Sequence, residues 1–272
     1  MKNIIVVRGA GDLASGVIHK LSNCGFDVVA LEVEKPLAIR RKVSFCEAIY
    51  ENEVKIDNVI CKLCENLDDI YSVLNEKKVA LIVDPNGDYI KQIKPKVVID
   101  AILAKKNLGT NKNMAPLTIG LGPGFFAGKD VDIVIETMRG HNLGKIIKEG
   151  YALKNTGTPG NINGIGKERV GYSSASGMIN TVAEIGQKVE KGQILAQIVD
   201  ENQEIHEVKA SISGVLRGII RNKSNIVSRL KILDIDPRID EVKNCYTISD
   251  KARCIAGSVL ETVVKYINTG NI

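Results

Sequence analysis

A carboxylate, a guanidinium and an imidazole fall together at Glu136, Arg139 and His141, directly behind the apolar run Val131–Ile135. An imidazole titrates near neutrality and so suits proton transfer. A guanidinium fork suits a carboxylate or a phosphate. A carboxylate between strand and fork would pair with Arg139 or orient His141. The three residues therefore read as a catalytic constellation, the other reading being a capping or surface histidine. The stretch before them, Ile119–Gly128, carries Gly122 and Gly124, as expected where backbone turns tightly or comes close to a ligand.

A second constellation opens the chain. Gly9-Ala-Gly11-Asp12-Leu-Ala14 follows an apolar run and precedes a helical pattern, which is the setting of a dinucleotide turn with alanine in place of the third glycine. Gly9 and Gly11 would let amides approach a phosphate at a helix N-terminus. Glu32, about 20 residues on, stands where a ribose-binding carboxylate would sit. Asp12 fits less well, because it brings a negative charge to the phosphate position and suits the helix dipole equally. Arg40 and Arg41 follow the next strand and would clamp an anion, or form a solvated basic turn.

Other residue clusters carry less. Cys61-Lys-Leu-Cys64 has redox spacing but no second pair and no histidine at zinc-site distance, so no metal site is assigned. Cys46, near the double arginine, is the thiol a transfer reaction would use. His19 and His206 fall far from His141 in sequence. Asp234-Ile-Asp236-Pro-Arg238 and Ser249-Asp250-Lys251 read as a polar corner tied by salt bridges.

The elements that must position these groups follow from the apolar pattern. Strands are expected at Asn3–Val7, Asp27–Val33, Asn58–Leu63, Val79–Val83 and Val97–Ile99, with helices after Gly11 and over Leu67–Leu74. Apolar strands without strict alternation suit a parallel sheet covered on both faces. A Rossmann-like doubly wound α/β domain is therefore expected over residues 1–144. Residues 145–172 are rich in turn formers and read as a connecting segment. Residues 173–272 hold an internal repeat in which Val189, Ile194 and Leu195 match Val227, Ile232 and Leu233. Gly186-x-x-Val-x-Lys-Gly-x-x-Leu195 resembles the hammerhead turn of biotinyl- and lipoyl-type domains, so a small β barrel-sandwich-like module is expected. The segment between Ile198 and Val208 has no lysine, which argues against a carrier. Ser249 then caps an amphipathic C-terminal helix.

Composition excludes several classes. Aromatics are 4% and tryptophan is absent, so a base-stacking surface is not expected. The net charge of +5 is spread along the chain, with no basic tail for nucleic acid and with a balance that fits a small anionic ligand. No apolar run reaches the ~18 residues that span a bilayer, and a cytoplasmic protein with no membrane contact is expected.

Six runs together resemble one family: Val7–Ala14, Pro36–Arg41, Gly120–Gly128, Val134–Gly144, Asp234–Arg238 and Ile248–Arg253. They are similar to the YqeB family, accessory proteins of the selenium-dependent molybdenum hydroxylase system. The resemblance implies a factor that helps mature such hydroxylases, with the client enzyme or its other maturation factors as partners. It implies no reaction. The residues add the expectation of a nucleotide or anionic cofactor intermediate, such as a dinucleotide or a molybdopterin-related compound, in the Rossmann-like crevice. A nicotinamide-dependent oxidoreductase, a selenium transferase and a non-catalytic adaptor docking the hydroxylase are the alternatives.

Overall fold

The computed structural model describes residues 3–157, 160 and 162–272. The expected connecting segment thus includes positions 158, 159 and 161, which lie outside the described residues. The chain divides into two compact units. The first comprises the residues up to Pro36, Ser44–Thr156 and Ile248–Ile272; the second comprises Leu37–Val43 and Gly157–Thr247.

The first unit is built on β1 (Ile4–Arg8), α1 (Asp12–Asn23), β2 (Asp27–Glu32), α2 (Ala48–Glu51), β3 (Glu53–Ile56), β4 (Val59–Cys64), α3 (Leu67–Asn75), β5 (Val79–Val83), α4 (Ile90–Ile93) and β6 (Val97–Asp100). It continues through β7 (Leu117–Leu121), β8 (Phe126–Ala127), β9 (Ile133–Ile135), β10 (Ile146–Ile147) and β11 (Gly150–Tyr151). Nine strands form one sheet in the order β10-β9-β7-β6-β1-β2-β5-β4-β3. The inner strands run parallel, and β3 and β10 pair antiparallel at the two edges. β1 is buried along its whole length, as a central parallel strand with both faces covered should be.

This is a mixed sheet and not the Rossmann-like doubly wound domain expected from the pattern of strands and helices. Between β2 and β4 lies β5, the later strand, and the antiparallel β3–β4 pair occupies the rim. Strands β6, β7 and β9 follow one another without an intervening α-helix. Apolar runs fix where strands form; the neighbour each strand takes depends on connections that the pattern does not encode.

The C-terminal helix, α5 (Asp250–Thr269), is part of this first unit rather than of the β module to which the sequence division assigned it. It packs on α1 at a close crossing: a Cβ on Gly16 would stand 2.8 Å from Cβ of Ala252 and 3.1 Å from its carbonyl oxygen. Ser249 caps it, its hydroxyl accepting from the amide of Ala252 at 3.1 Å.

The second unit holds β12 (Val170–Tyr172), β13 (Gly177–Thr181), β14 (Lys188–Val189), β15 (Ile194–Val199), β16 (Ile205–Lys209), β17 (Gly214–Ile219), β18 (Asn225–Ile226) and β19 (Lys231–Asp236). They form two antiparallel four-stranded sheets, β12-β19-β17-β14 and β16-β15-β13-β18. The internal repeat explains the arrangement. β14 of the first repeat pairs with β17 of the second, and β18 of the second pairs with β13 of the first. Neither repeat closes a sheet alone. Between them lies one core that includes Ile179, Leu195, Ile198, Leu216, Ile219, Ile232, Leu233 and Ile235. Among the described residues, no helix is long and apolar enough to cross a membrane.

Candidate functional site

The turn after β9 is held from both ends. The amide of Glu136 donates to the carbonyl of Lys145 at 3.0 Å, and the amide of Gly144 donates to the carbonyl of Glu136 at 2.9 Å. Inside that frame the buried Glu136 carboxylate accepts from the amides of Met138 and Leu153, each at 2.7 Å. Both its oxygens are engaged with backbone, so Glu136 shapes the turn and does not orient His141. His141 itself is exposed and makes no hydrogen bond or ion pair among the described residues.

The turn lies along one stripe of α5. Arg139 grips Asp250 through two hydrogen bonds of 2.6 and 3.1 Å. The thiol of Cys254 donates to the carbonyl of Leu143 at 3.5 Å. A Cβ on Gly144 would meet Ser258 at 2.9 Å and Cys254 at 3.0 Å. Positions 250, 254 and 258 share one helix face, so the turn and the first turns of the helix make one surface. Lys251 belongs to it. Its ammonium is held below the ordinary lysine range, first by burial and then by Arg139, while Asp12, Glu136 and Asp250 oppose the shift. Sequence reasoning put Lys251 in a structural corner. The signal it carried was a cation in the first turn of a helix, where the dipole disfavours one.

The glycine turn after β1 is filled by the protein itself. The amide of Ala10, which a pyrophosphate would need, donates to Oε2 of Glu32 at 2.8 Å. The other oxygen of Glu32 accepts from the amide of Val33 at 2.8 Å. Burial raises the Glu32 carboxyl, and these two bonds hold it back. Glu32 is thus a brace for its own turn and not a ribose ligand. Gly9 has φ +96, and a Cβ there would stand 3.0 Å from the carbonyl oxygen of Ala101, so close backbone packing accounts for it. Gly11 has ordinary φ and open space around it.

The crevice between β1 and β6, where a doubly wound protein would hold its ligand, is closed by Arg8. This fully buried guanidinium donates to the hydroxyl of Thr110 and to the carbonyl of Pro85 at 2.9 Å, and lies 3.8 Å from Asp100. Thr110 in turn donates to Asp100. Burial raises the Asp100 carboxyl, opposed by Thr110, the amide of Ile102 and Arg8. Arg8 and Glu32 thus occupy the places that a dinucleotide would take.

No family model matches the chain. A curated relative does: over 267 residues, 98% of this chain, it is 43% identical to the uncharacterized protein YqeB of Escherichia coli strain K12. The chain belongs to the YqeB family. It spans about half the length of that relative, 48%. Among solved structures, the ectoine utilization protein EutE (DoeB) from Ruegeria pomeroyi aligns at 11% identity over 86% of each chain with a TM-score of 0.28. A succinylglutamate desuccinylase/aspartoacylase from Rhodobacter sphaeroides aligns at 10% over 86% of this chain and 84% of its own, with a TM-score of 0.29. At TM-scores this low neither alignment defines the fold or the function, and it is the strand order of the sheet that departs from a Rossmann-like domain. None of these relatives bears on selenium or molybdenum.

Of the remaining expected site residues of this YqeB-family chain, Gly122 packs against the β9 turn at Thr137, and the others contribute no group to it. Gly122 has φ +77, and a Cβ there would collide with the Thr137 hydroxyl; one on Gly124 would stand 2.8 Å from the backbone of Lys106. Both glycines serve packing. Arg40 and Arg41 belong to the second unit, where Arg40 donates to the carbonyls of Asn244 and Thr247 at 2.9 and 3.0 Å and Arg41 to that of Ile219 at 2.9 Å. They anchor the segment Leu37–Val43 to that unit. Also there, Arg238 grips Asp236 at 2.9 and 2.7 Å, Arg169 pairs with Asp234, and His206 meets Asp200 at 2.8 Å. These are structural ties. Cys46 is buried, and burial together with Glu32 and Glu47 pushes its thiol well above the ordinary range, which is the opposite of what a transfer nucleophile needs.

Proposed function

We propose that this chain is an accessory factor of the selenium-dependent molybdenum hydroxylase system, and that it works through the surface formed by the β9 turn and the start of α5, where a small anionic ligand is received. One observation carries the reading. Of the six runs that resemble the family, three supply residues to this one place: Asp12 from the first, Glu136 and Arg139 from the fourth, Asp250 and Lys251 from the last. Residues 111 positions apart are joined there by an ion pair. Structural need alone does not call for a half-buried lysine beside an arginine.

The chemistry of the surface supports binding. Arg139 offers a planar fork, Lys251 a point charge, and His141 an exposed imidazole. The partner is then the hydroxylase or another of its maturation factors. The test is deletion of the chain in its host, followed by purification of the hydroxylase. Loss of hydroxylase activity, with loss of selenium or molybdenum from the purified enzyme, is expected, along with rescue by the parent and not by Arg139→Ala. Unchanged activity and metal content would overturn the reading. A pull-down separates the adaptor alternative, in which Arg139→Ala would still bind the client and still rescue.

A further inference from the structure

Asp250 sits on the guanidinium of Arg139 in the manner of a ligand. Its two oxygens meet the two terminal nitrogens of the fork at 2.6 and 3.1 Å, which is the bidentate geometry that an arginine also offers to a phosphate or another tetrahedral oxyanion. The pair is exposed, with side-chain accessibilities of 48% for Arg139 and 67% for Asp250. In such a setting an arginine–carboxylate pair is worth little, so a dianion meeting the same fork together with a second cation would outcompete it.

The surroundings supply that second cation and the room. Lys251 is the next residue along the chain and interacts with Arg139 as a like charge. Like charges repel one another, and a dianion bound to both would remove the repulsion. Gly140, immediately after Arg139, has φ +137 and open space where a Cβ would stand, and the Arg139 side chain is itself half exposed, so a ligand can reach the fork. His141 follows, exposed. Glu136 and Asp12 also act on Lys251 as negative charges, and Glu136 is tied to the backbone amides of Met138 and Leu153, so Asp250 alone of the three carboxylates occupies the Arg139 fork. Asp250 keeps a favourable place when displaced, since a carboxylate in the first turn of a helix is stabilised by the dipole.

We infer that Arg139 and Lys251 form a binding site for a tetrahedral dianionic oxyanion, free or as a phosphate monoester, and that the Asp250 carboxylate is an internal occupant which the ligand displaces. The inference rests on the β9 turn and α5 being the working surface. It names the ligand class and the group that competes for it.

The experiment is calorimetric titration of the full chain with inorganic phosphate, molybdate and glycerol 3-phosphate in a chloride buffer of fixed ionic strength. The parent is expected to bind at least one of the three. Asp250→Asn removes the competing charge and keeps the shape, and it should bind that ligand about tenfold more tightly. Arg139→Ala and Lys251→Met should each weaken binding by about tenfold or more. Asp250→Ser, which keeps a good residue for the start of a helix, decides the matter if Asp250→Asn unfolds. A preference for glycerol 3-phosphate over both inorganic ions points to a phosphate ester, and the reverse to a free oxyanion; either supports the site. If the aspartate variants bind none of the probes more tightly than the parent, or if Arg139→Ala binds as the parent does, the inference is overturned. That result is separate from the deletion experiment, which scores hydroxylase maturation whether or not an oxyanion binds.

Discussion

Arg139 and Asp250 are joined through two hydrogen bonds, of 2.6 and 3.1 Å, between the turn after β9 and the first residue of α5. Asp250 holds the guanidinium in its charged form. The pair is exposed, so the Coulombic gain is small and partly spent on ordering two side chains. Arg139→Ala and Asp250→Asn should each cost no more than about 1 kcal/mol in urea unfolding. A loss well above that would make the pair a structural strut and weaken its assignment to function.

Lys251 makes the opposite prediction. Burial and the neighbouring Arg139 lower its affinity for a proton in the folded state. The unfolded chain therefore binds that proton more tightly, and stability rises with pH between the folded and unfolded values. Wherever the ammonium is charged in both states, the whole cost is present. Lys251→Met should remove it and raise Tm at pH 7 by about 2 °C, after discounting for partial exposure. The gain should shrink as pH rises through the folded value and vanish above the ordinary lysine value, where the side chain is neutral in both states. A lower Tm for the variant at pH 7 would show that the ammonium is stabilising where it stands. A residue whose removal stabilises the fold is one retained for another reason.

The legibility of this chain was uneven for physical reasons. Strands such as β1 and β5, the helix α3 and the Ser249 cap follow from local pattern, because apolar period and capping chemistry are local. The order of strands is not local, and the placement of β5 between β2 and β4 left no mark in the pattern. Glu32 shows the same limit at the scale of one side chain. Its spacing from Gly9 suits a ribose ligand, yet the carboxylate turns back onto the amide of Ala10. Glycines mislead in the same way: Gly9, Gly122 and Gly144 are each accounted for by a neighbour that a Cβ would strike. Arg139 was legible because an arginine behind a strand is a local signal. Lys251 was not, because its neighbours come from Asp12, Glu136 and Arg139, far away in sequence.

The six cysteines should separate into two classes. Cys24 and Cys254 are exposed, while Cys46, Cys61, Cys64 and Cys245 are buried. Burial pushes Cys46 and Cys61 well above the ordinary thiol range, Cys64 to about 11, and Cys245 upward. Since the thiolate is the reactive form, iodoacetamide at pH 8 should alkylate Cys24 first and Cys254 next, the latter slowed by its bond to the carbonyl of Leu143. The other four should react only on unfolding, as read by peptide mass spectrometry. Rapid labelling of Cys46 in the native protein would reopen the selenium-transfer reading that its burial disfavours.

Glu136 tests whether the turn is positioned from below. Its carboxylate is the acceptor for the amides of Met138 and Leu153. In Glu136→Gln one of those oxygens becomes an NH₂ group facing an N–H, so a buried donor loses its acceptor. The cost should be about 1–3 kcal/mol, larger than for either partner of the exposed Arg139–Asp250 pair. The loss should also be local at first: amide exchange of residues 137–144 should accelerate before that of the strands, because those two bonds fix the turn while the sheet is held by its own ladders. Oxyanion affinity should fall with it, since Arg139 would no longer be held beside Lys251, and high ligand concentration should recover part of the lost protection by mass action. If exchange in the turn is unchanged, Glu136 does not position Arg139, and the fork owes its place to Asp250 alone.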